Sequence, residues 1–236
     1  MIRYNKVLLK LSGESLMGKG QQGIENESLM QFAGEIRSIA DLGVKVGVVI
    51  GGGNIFRGLK GVDSGFNRVA GDYMGMMATV INGLAMQSAL EKLGLKCRLL
   101  TAIRMEPVGQ GYSKDIANTA FENGEVVIFS AGTGNPFFTT DTAAALRAVE
   151  MGADLLIKGT RVDGIYTADP EKDPDAQKFE EISYKEAYNK GLKIMDLTAF
   201  TLCSENKLNM LVFDINQQGN LKKIILGERI GTFVKN

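Results

Sequence analysis

A chain of 236 residues, 44% of them hydrophobic, is long enough to bury a full core as one large domain or as two lobes of one domain. Its 27 Lys and Arg balance 27 Asp and Glu, which argues against a surface dedicated to nucleic acid or anionic lipid, because both select for excess positive charge. It contains no histidine, which excludes imidazole bases, His-activated nucleophiles and His-containing metal sites; any chemistry falls to Lys, Arg, Asp and backbone amides.

Met1 is followed by charged and polar residues, no apolar run approaches a membrane span, and the reading is a soluble cytoplasmic protein without a signal peptide. Residues 5–11, NKVLLKL, predict a strand that carries Lys10 to its carboxyl edge, either as a phosphate-binding lysine or as one that snorkels. The continuation GESLMGKG nearly matches a Walker A loop, but Gly20 stands where a magnesium-binding Ser or Thr belongs and no apolar-periodic helix follows. Residues 18–23 read instead as a mobile glycine-rich loop. Asn26 is placed as the cap of a helix from 27 to about 42, with Leu29, Phe32, Ala33, Ile36, Ile39 and Ala40 on one face. Residues 44–50 form a β-branched, nearly charge-free run suited to a central strand, and with the preceding strand and helix make a parallel unit.

That strand stops on Gly51, Gly52 and Gly53. A glycine triplet calls for close backbone approach or positive φ, and amides exposed there with Arg57 close behind form an anion cradle. Residues 72–93 give the longest helical pattern. Its methionines, Met74, Met76, Met77 and Met86, are core filler or a subunit interface, and Asp72 is an N-cap or an acceptor for ligand hydroxyls. Strands are predicted at 96–101 and 126–129, with an irregular passage at 105–112 and a helix at 113–122 capped by Ser113. Residues 130–141, SAGTGNPFFTTD, end the second of those strands in hydroxyls, an amide and a carboxylate just before a helix through 143–151. The free amides of that helix start, with Thr139 and Thr140, suit a phosphate.

Residues 154–158, DLLIK, repeat the first strand's arrangement and deliver Lys158 to an edge before a glycine. Residues 159–170 follow as a turn-rich loop with Tyr166, suited to a base or to packing. Residues 172–181 read as charged and exposed. Helices are expected at 183–190 and 196–205, a strand at 210–213, a small helical or turn element at 220–227 and a last edge strand at 232–234. Cys97 and Cys203 read as buried free thiols. Two strand-end lysines, Arg57 and two glycine-punctuated edges converge in a chain of zero net charge, which points to phosphate. Phosphoryl transfer needs positive charge around the migrating group and a magnesium ion bound largely by the nucleotide's own phosphates. Lys10, Lys158 and the Gly52 and Gly53 amides would stabilise that charge, while Asp141 would hold the two ammonium groups rather than take a proton. The missing histidine favours a phosphate or carboxylate acceptor, because a phosphate oxyanion needs no general base.

KVLLKLSGE at 6–14, GGGNIFRG at 51–58, GDYMGMMATVINGLA at 71–85, GTGNPFFTTD at 132–141 and KGTRVDGIYTADP at 158–170 together resemble the bacterial uridylate kinases, members of the amino acid kinase superfamily. The lysine-glycine start and DGIYTADP are shared widely in that superfamily; GGGNIFRG, GDYMGM and GNPFFTTD are more specific. The resemblance spans essentially the whole chain. It implies an α/β fold, a three-layer α/β/α sandwich with a mostly parallel central sheet, and reversible transfer of the ATP γ-phosphate to UMP, giving UDP and ADP. It implies that Lys10, Leu11, Ser12, Gly13, Gly53, Arg57, Thr160, Tyr166 and Asp169 contact ATP. Gly52, Asp72, Thr133, Gly134, Asn135, Pro136, Phe137, Phe138, Thr139 and Thr140 fall to UMP. Lys10, Lys158, Asp141 and Arg57 form the expected catalytic set.

The resemblance further implies a homohexamer that GTP activates and UTP inhibits, with Gly18, Lys19, Gly20, Gln21, Gln22 and Gly23 linked to the GTP response. The whole chain, 1–236, would be one domain with a UMP-binding lobe at about 1–150 and an ATP-binding lobe at 151–236. Three other readings remain at this stage. A kinase of an amino acid or carbamate keeps the lysines but has no use for a ribose-binding Asp72. A dinucleotide oxidoreductase requires GxGxxG where SGESLMG stands, and a nonenzymatic nucleotide-binding regulator has no need of the Lys10, Lys158 and Asp141 set.

Overall fold

The computed structural model describes residues 2–56, 65, 67–170 and 172–236. In chain order these form β1 (Lys6–Leu11), a short 3-10 helix (Gly13–Met17), α1 (Asn26–Ala40), β2 (Lys45–Ile50), α2 (Arg68–Lys92), β3 (Cys97–Thr101), β4 (Gln110–Gly111), α3 (Lys114–Glu122), β5 (Val126–Ser130), α4 (Thr140–Met151) and β6 (Leu155–Thr160). The remainder is β7 (Ile165–Tyr166), β8 (Lys178–Phe179), β9 (Glu181–Ser183), α5 (Tyr184–Asn189), α6 (Leu197–Glu205), β10 (Met210–Asp214), α7 (Asn220–Ile225) and β11 (Thr232–Lys235).

Nine strands make one sheet in the order β4-β3-β5-β2-β1-β6-β10-β11-β9, parallel throughout except for the β10–β11 pair. The β1 sequence shows why the sheet is covered on both sides. Val7, Leu9 and Leu11 pack into one apolar layer with α1, α2 and α7, whereas Leu8 faces a second layer with α3, α4, α5 and α6. Leu8, Leu9 and Leu11 are fully buried, and each contributes about 1.5–3 kcal/mol of burial free energy. On α1, Leu29, Phe32, Ala33, Ile36 and Ile39 recur at helical spacing and all are buried. The result is the expected three-layer sandwich. Its sheet is continuous, with β1 seated directly between β2 and β6.

Several local expectations are corrected. The cap of α1 is Glu25, not Asn26, and its carboxylate accepts from Ser28 Oγ at 2.6 Å. The long helix α2 starts at Arg68 behind Asn67, whose side chain accepts from the Val69 amide at 2.9 Å; Asp72 therefore lies inside the helix and is not its cap. Residues 172–181, read as merely charged and exposed, contain β8, which pairs with β7 as a two-stranded hairpin. The final strand β11 is not at the edge, because β9 pairs with its far side. Cys203 is buried but Cys97 is only half-buried, and both thiols are free. Burial pushes both of them up to about 12, so neither is a ready nucleophile. Among the described residues, no helix is long and apolar enough to cross a membrane.

Candidate active site

Strand parity brings the two lysines together. Lys10 and Lys158 occupy the same register position in the neighbouring parallel strands β1 and β6. Two residues back on each strand, Leu8 and Leu156 enter the core layer that contains Ala144, Ala145 and Ala148 of α4. Side chains repeat every second residue along a strand, so both lysines leave the sheet on that same face, where the first turn of α4 presents Asp141.

The carboxylate bridges them. Asp141 Oδ1 lies 2.7 Å from Lys10 Nζ and Oδ2 lies 2.7 Å from Lys158 Nζ, with all three side chains at most 15% exposed. Lys158 donates a hydrogen bond to Oδ2 and a second, at 2.6 Å, to the Ile194 carbonyl. Lys10 meets Oδ1 as a close charge-assisted contact at that same distance, so each carboxylate oxygen faces one ammonium group. Burial by itself would raise the Asp141 carboxyl, but the two ammonium groups outweigh it and hold the group below the ordinary carboxylate value. Burial, aided by the nearby Lys10 charge, draws Lys158 below the ordinary lysine value against the opposing pull of Asp141. The arrangement concentrates two positive charges on one anion at the carboxyl end of the sheet.

The anion itself is fixed from behind. Thr139 caps α4, accepting from the Asp141 amide at 3.1 Å and the Thr142 amide at 3.3 Å. The hydroxyls of Thr139 and Thr142 both donate to Asp196 Oδ2, the latter at 2.9 Å, while Asp196 Oδ1 caps α6 through the Ala199 amide at 2.9 Å. Asp196 therefore joins two helix starts beside the lysine pair. Sequence reasoning placed it only at the start of a helix, and the Ile194 carbonyl carried no signal at all.

The glycine triplet lies against the end of β1. A side chain on Gly13 would place its Cβ 2.3 Å from the Gly51 carbonyl oxygen, and one on Gly52 would meet Ala78 Cβ at 2.7 Å and the Gly75 carbonyl oxygen at 2.8 Å. Close approach, not positive φ, is thus what Gly13 and Gly52 serve, and none of Gly51, Gly52 and Gly53 has a left-handed backbone. The Gly52 and Gly53 amides find no backbone acceptor among the described residues. The 3-10 turn Gly13–Met17 follows Ser12 and Leu11 directly, in place of the long helix a Walker loop would open.

The second edge departs from ordinary backbone geometry. Ala131, Gly132, Gly134 and Phe137 have φ of 63°, 59°, 80° and 72°, so two residues with side chains occupy the left-handed region. Asp72 holds this loop: its Oδ2 accepts from the Phe137 amide at 2.8 Å while Arg68 Nε pairs with both carboxylate oxygens at 2.8 and 3.0 Å. The Arg68 guanidinium lies 5.6 Å from the Phe137 ring centre. Phe137 and Phe138 remain 66% and 47% exposed around a turn that also carries Thr133, Asn135 and Pro136. Thr133 Oγ1 accepts from the Asn135 amide at 3.2 Å, and Thr140 opens α4. Asp72 and residues 133–140, far apart in sequence, thus form one unit.

Beyond Lys158, Thr160 ends β6 with its hydroxyl donated to the Val162 carbonyl at 2.6 Å. Tyr166 belongs to the β7–β8 hairpin and donates to Asp163 Oδ1 at 2.6 Å; Asp169 pairs with Lys172 at 3.3 Å. Arg57 lies outside the described residues. The loop carrying Gly18, Lys19, Gly20, Gln21 and Gln22 ends at Gly23, which exchanges two bonds with Asn54, each of 2.8 Å. Among the described residues no cluster of three or more Cys, Asp or Glu groups suits a metal ion.

A sequence model of the amino acid kinase family matches residues 5–214. The uridylate kinases of Phocaeicola vulgatus and Bacteroides thetaiotaomicron are 62% and 61% identical to the chain over 236 residues, with all of both chains covered in each case. The crystal structure of a UMP kinase from Bacillus anthracis superposes with a TM-score of 0.96 at 35% identity, covering 98% of this chain and 96% of its own. That of a UMP kinase from Ureaplasma parvum gives 0.93 at 37% identity, with complete coverage of both. The chain belongs to the amino acid kinase family, and within it to the uridylate kinases.

Proposed function

We propose that the protein transfers the γ-phosphate of ATP to UMP, reversibly giving UDP and ADP, without a general base. The observation that carries the chemistry is the in-register Lys10–Lys158 pair bridged by Asp141. The uridylate kinase relatives support the substrates. Negative charge builds on the oxygens of the migrating phosphoryl group, and two ammonium groups fixed by adjacent strands meet it without reorganisation. Lys10 meets Asp141 Oδ1, and its ammonium carries further hydrogens that can turn to a phosphate oxygen; Lys158 is held by Asp141 and also by the Ile194 carbonyl. Asp141 stays ionised and so serves as organiser, not as base. The UMP phosphate, with a second pKa near about 6, supplies its own nucleophilic oxyanion.

On this reading Lys10, Leu11, Ser12, Gly13, Gly53, Arg57, Thr160, Tyr166 and Asp169 contact ATP, while Gly52, Asp72 and residues 133–140 receive UMP. The lobes divide near residue 150. With its one central carboxylate already engaged by two lysines, the site suits a magnesium ion held mainly by nucleotide phosphates, where that ion would offset their charge. A cytoplasmic hexamer regulated by GTP and UTP, with residues 18–23 in the GTP response, completes the proposal.

The deciding experiment is a coupled ADP-release assay with ATP and magnesium, offering UMP, CMP, aspartate, acetylglutamate and carbamate separately. ADP release that depends on UMP, with UDP as product, is expected. Release with an amino acid would overturn the acceptor assignment, and silence with UMP bound would make the protein a nonenzymatic nucleotide sensor.

Asp72→Asn separates the two substrate sides. Asparagine retains an acceptor for the Phe137 amide but loses the charge paired with Arg68 and offered to ribose hydroxyls. KM for UMP is expected to rise about tenfold, a loss on the scale of one charge-assisted hydrogen bond, while KM for ATP stays within about twofold. A larger rise for ATP would reverse the assignment of sides.

A further inference from the structure

Two buried amides stand at the meeting point of the glycine triplet, α2 and the 18–23 loop. Asn82, fully buried in the middle of α2, donates through Nδ2 to the Gly51 carbonyl and to Asn54 Oδ1, both at 2.7 Å. Asn54, 2% exposed, returns a bond from its own Nδ2 to Asn82 Oδ1 at 3.0 Å and donates another to the Gly23 carbonyl at 2.8 Å. The Gly23 amide closes the circuit on the Asn54 carbonyl at 2.8 Å. Asn54 Oδ1 also lies 2.5 Å from the position a Gly13 Cβ would take, so the pair is packed against the end of the Lys10 strand.

An amide pair buried this deeply must satisfy its donors and acceptors internally, and here it does so by joining three separate backbone segments. Core packing alone would be met at residue 82 by a leucine, as its neighbours on α2 illustrate with Val80 and Met86. We propose that Asn82 is a positioning residue for phosphoryl transfer: acting through Gly51 and Asn54, it aims the Gly52 and Gly53 amides and makes the 18–23 loop move as one unit with them. The inference rests on the kinase reading for its catalytic consequence, but the mechanical link does not.

The physical consequence is a split between rate and binding. Gly52 and Gly53 carry no side chain, so the direction of their amides depends on what holds the carbonyl of Gly51 and the side chain of Asn54. Misaiming a preorganised donor by a fraction of an ångström weakens its grip on the transition state more than its grip on bound substrate.

The test is Asn82→Leu, similar in volume and without polar atoms, assayed in its folded state as confirmed by circular dichroism. The expected result is a kcat lower by about 10–100-fold with KM for ATP and UMP within about threefold of the parent. An unchanged kcat in the folded variant, or a rise in both KM values at constant kcat, overturns the proposal. A second measurement needs neither variant nor turnover. In the parent protein, native-state amide exchange on peptides spanning 20–25 and 51–56 is expected to show both segments losing protection together as urea is raised. Separate openings overturn the link, whether or not UMP proves to be the substrate. Parent protein that opens both segments together yet leaves UMP unphosphorylated would sink the kinase reading alone.

Discussion

Lys158→Met is expected to leave a folded protein whose phosphate transfer is slower by about 10²–10³-fold, the scale of removing one preorganised donor from a developing oxyanion. Methionine matches the length and apolar stem of lysine, so the packing of β6 beneath α4 is kept. What disappears is the ammonium, together with its bonds to Asp141 Oδ2 and the Ile194 carbonyl. Two effects on stability oppose each other. Burial already disfavours the Lys158 charge, so removing it relieves a cost, but Asp141 is left with Lys10 as its sole cationic partner within the bridge. The melting temperature is therefore expected to move little while kcat collapses, and KM for both substrates is expected to change far less than kcat. Steady-state kinetics alongside calorimetry checks this. Full activity in the variant would remove Lys158 from the mechanism.

Asp141→Asn has the opposite signature, with stability and activity falling together. The neutral amide leaves two adjacent lysines, in register and nearly buried, without the charge that bridges them. Breaking a buried ion network by deleting one member costs about 3–5 kcal/mol. For a chain of this size that corresponds to a fall in Tm of about 10 °C. The pH dependence follows from the direction of the Asp141 shift. Its folded value is depressed, so its stabilisation is present above the ordinary carboxylate value of about 3.9 and is lost as pH falls through the lower folded value. Urea midpoints of parent and variant are expected to differ most near neutral pH and to converge in acid. A difference that persists undiminished at low pH would show that the loss came from packing and not from charge. Since Asp141 is ionised at neutral pH in the parent, its titration is expected to leave no limb in the kcat profile between about pH 6 and pH 8.

The long central elements were legible because burial on two faces and helical periodicity write themselves into local sequence. β1, β2, β5 and β6 are short apolar runs, and α1 repeats its apolar residues every three or four positions. The elements misjudged lie where local preference is weak. Residues 178–179 are only Lys178 and Phe179, too short a pair to show any alternation, and become a strand because Ile165 and Tyr166 lie opposite, while β11 looks terminal until β9 joins it. The start of α2 was displaced because Asp72 is a good cap by chemistry, yet Asn67 reaches the Val69 amide first.

The sequence by itself determined which groups are available: two strand-end lysines, a carboxylate at a helix start, two glycine-rich edges and no imidazole. It also determined that Lys10 and Lys158 each share a face with the apolar residue two places before, because side-chain alternation is a property of one strand. Only the tertiary structure decided that the strands bearing them are neighbours in register, so that one Asp141 spans both. It alone turned Asp72 toward the Phe137 amide, set Asp196 behind Thr139 and Thr142, and closed Asn82 on Asn54 and Gly51. Contacts separated by tens of residues depend on how strands are ordered and how helices cross them, and no local pattern of residues encodes that choice.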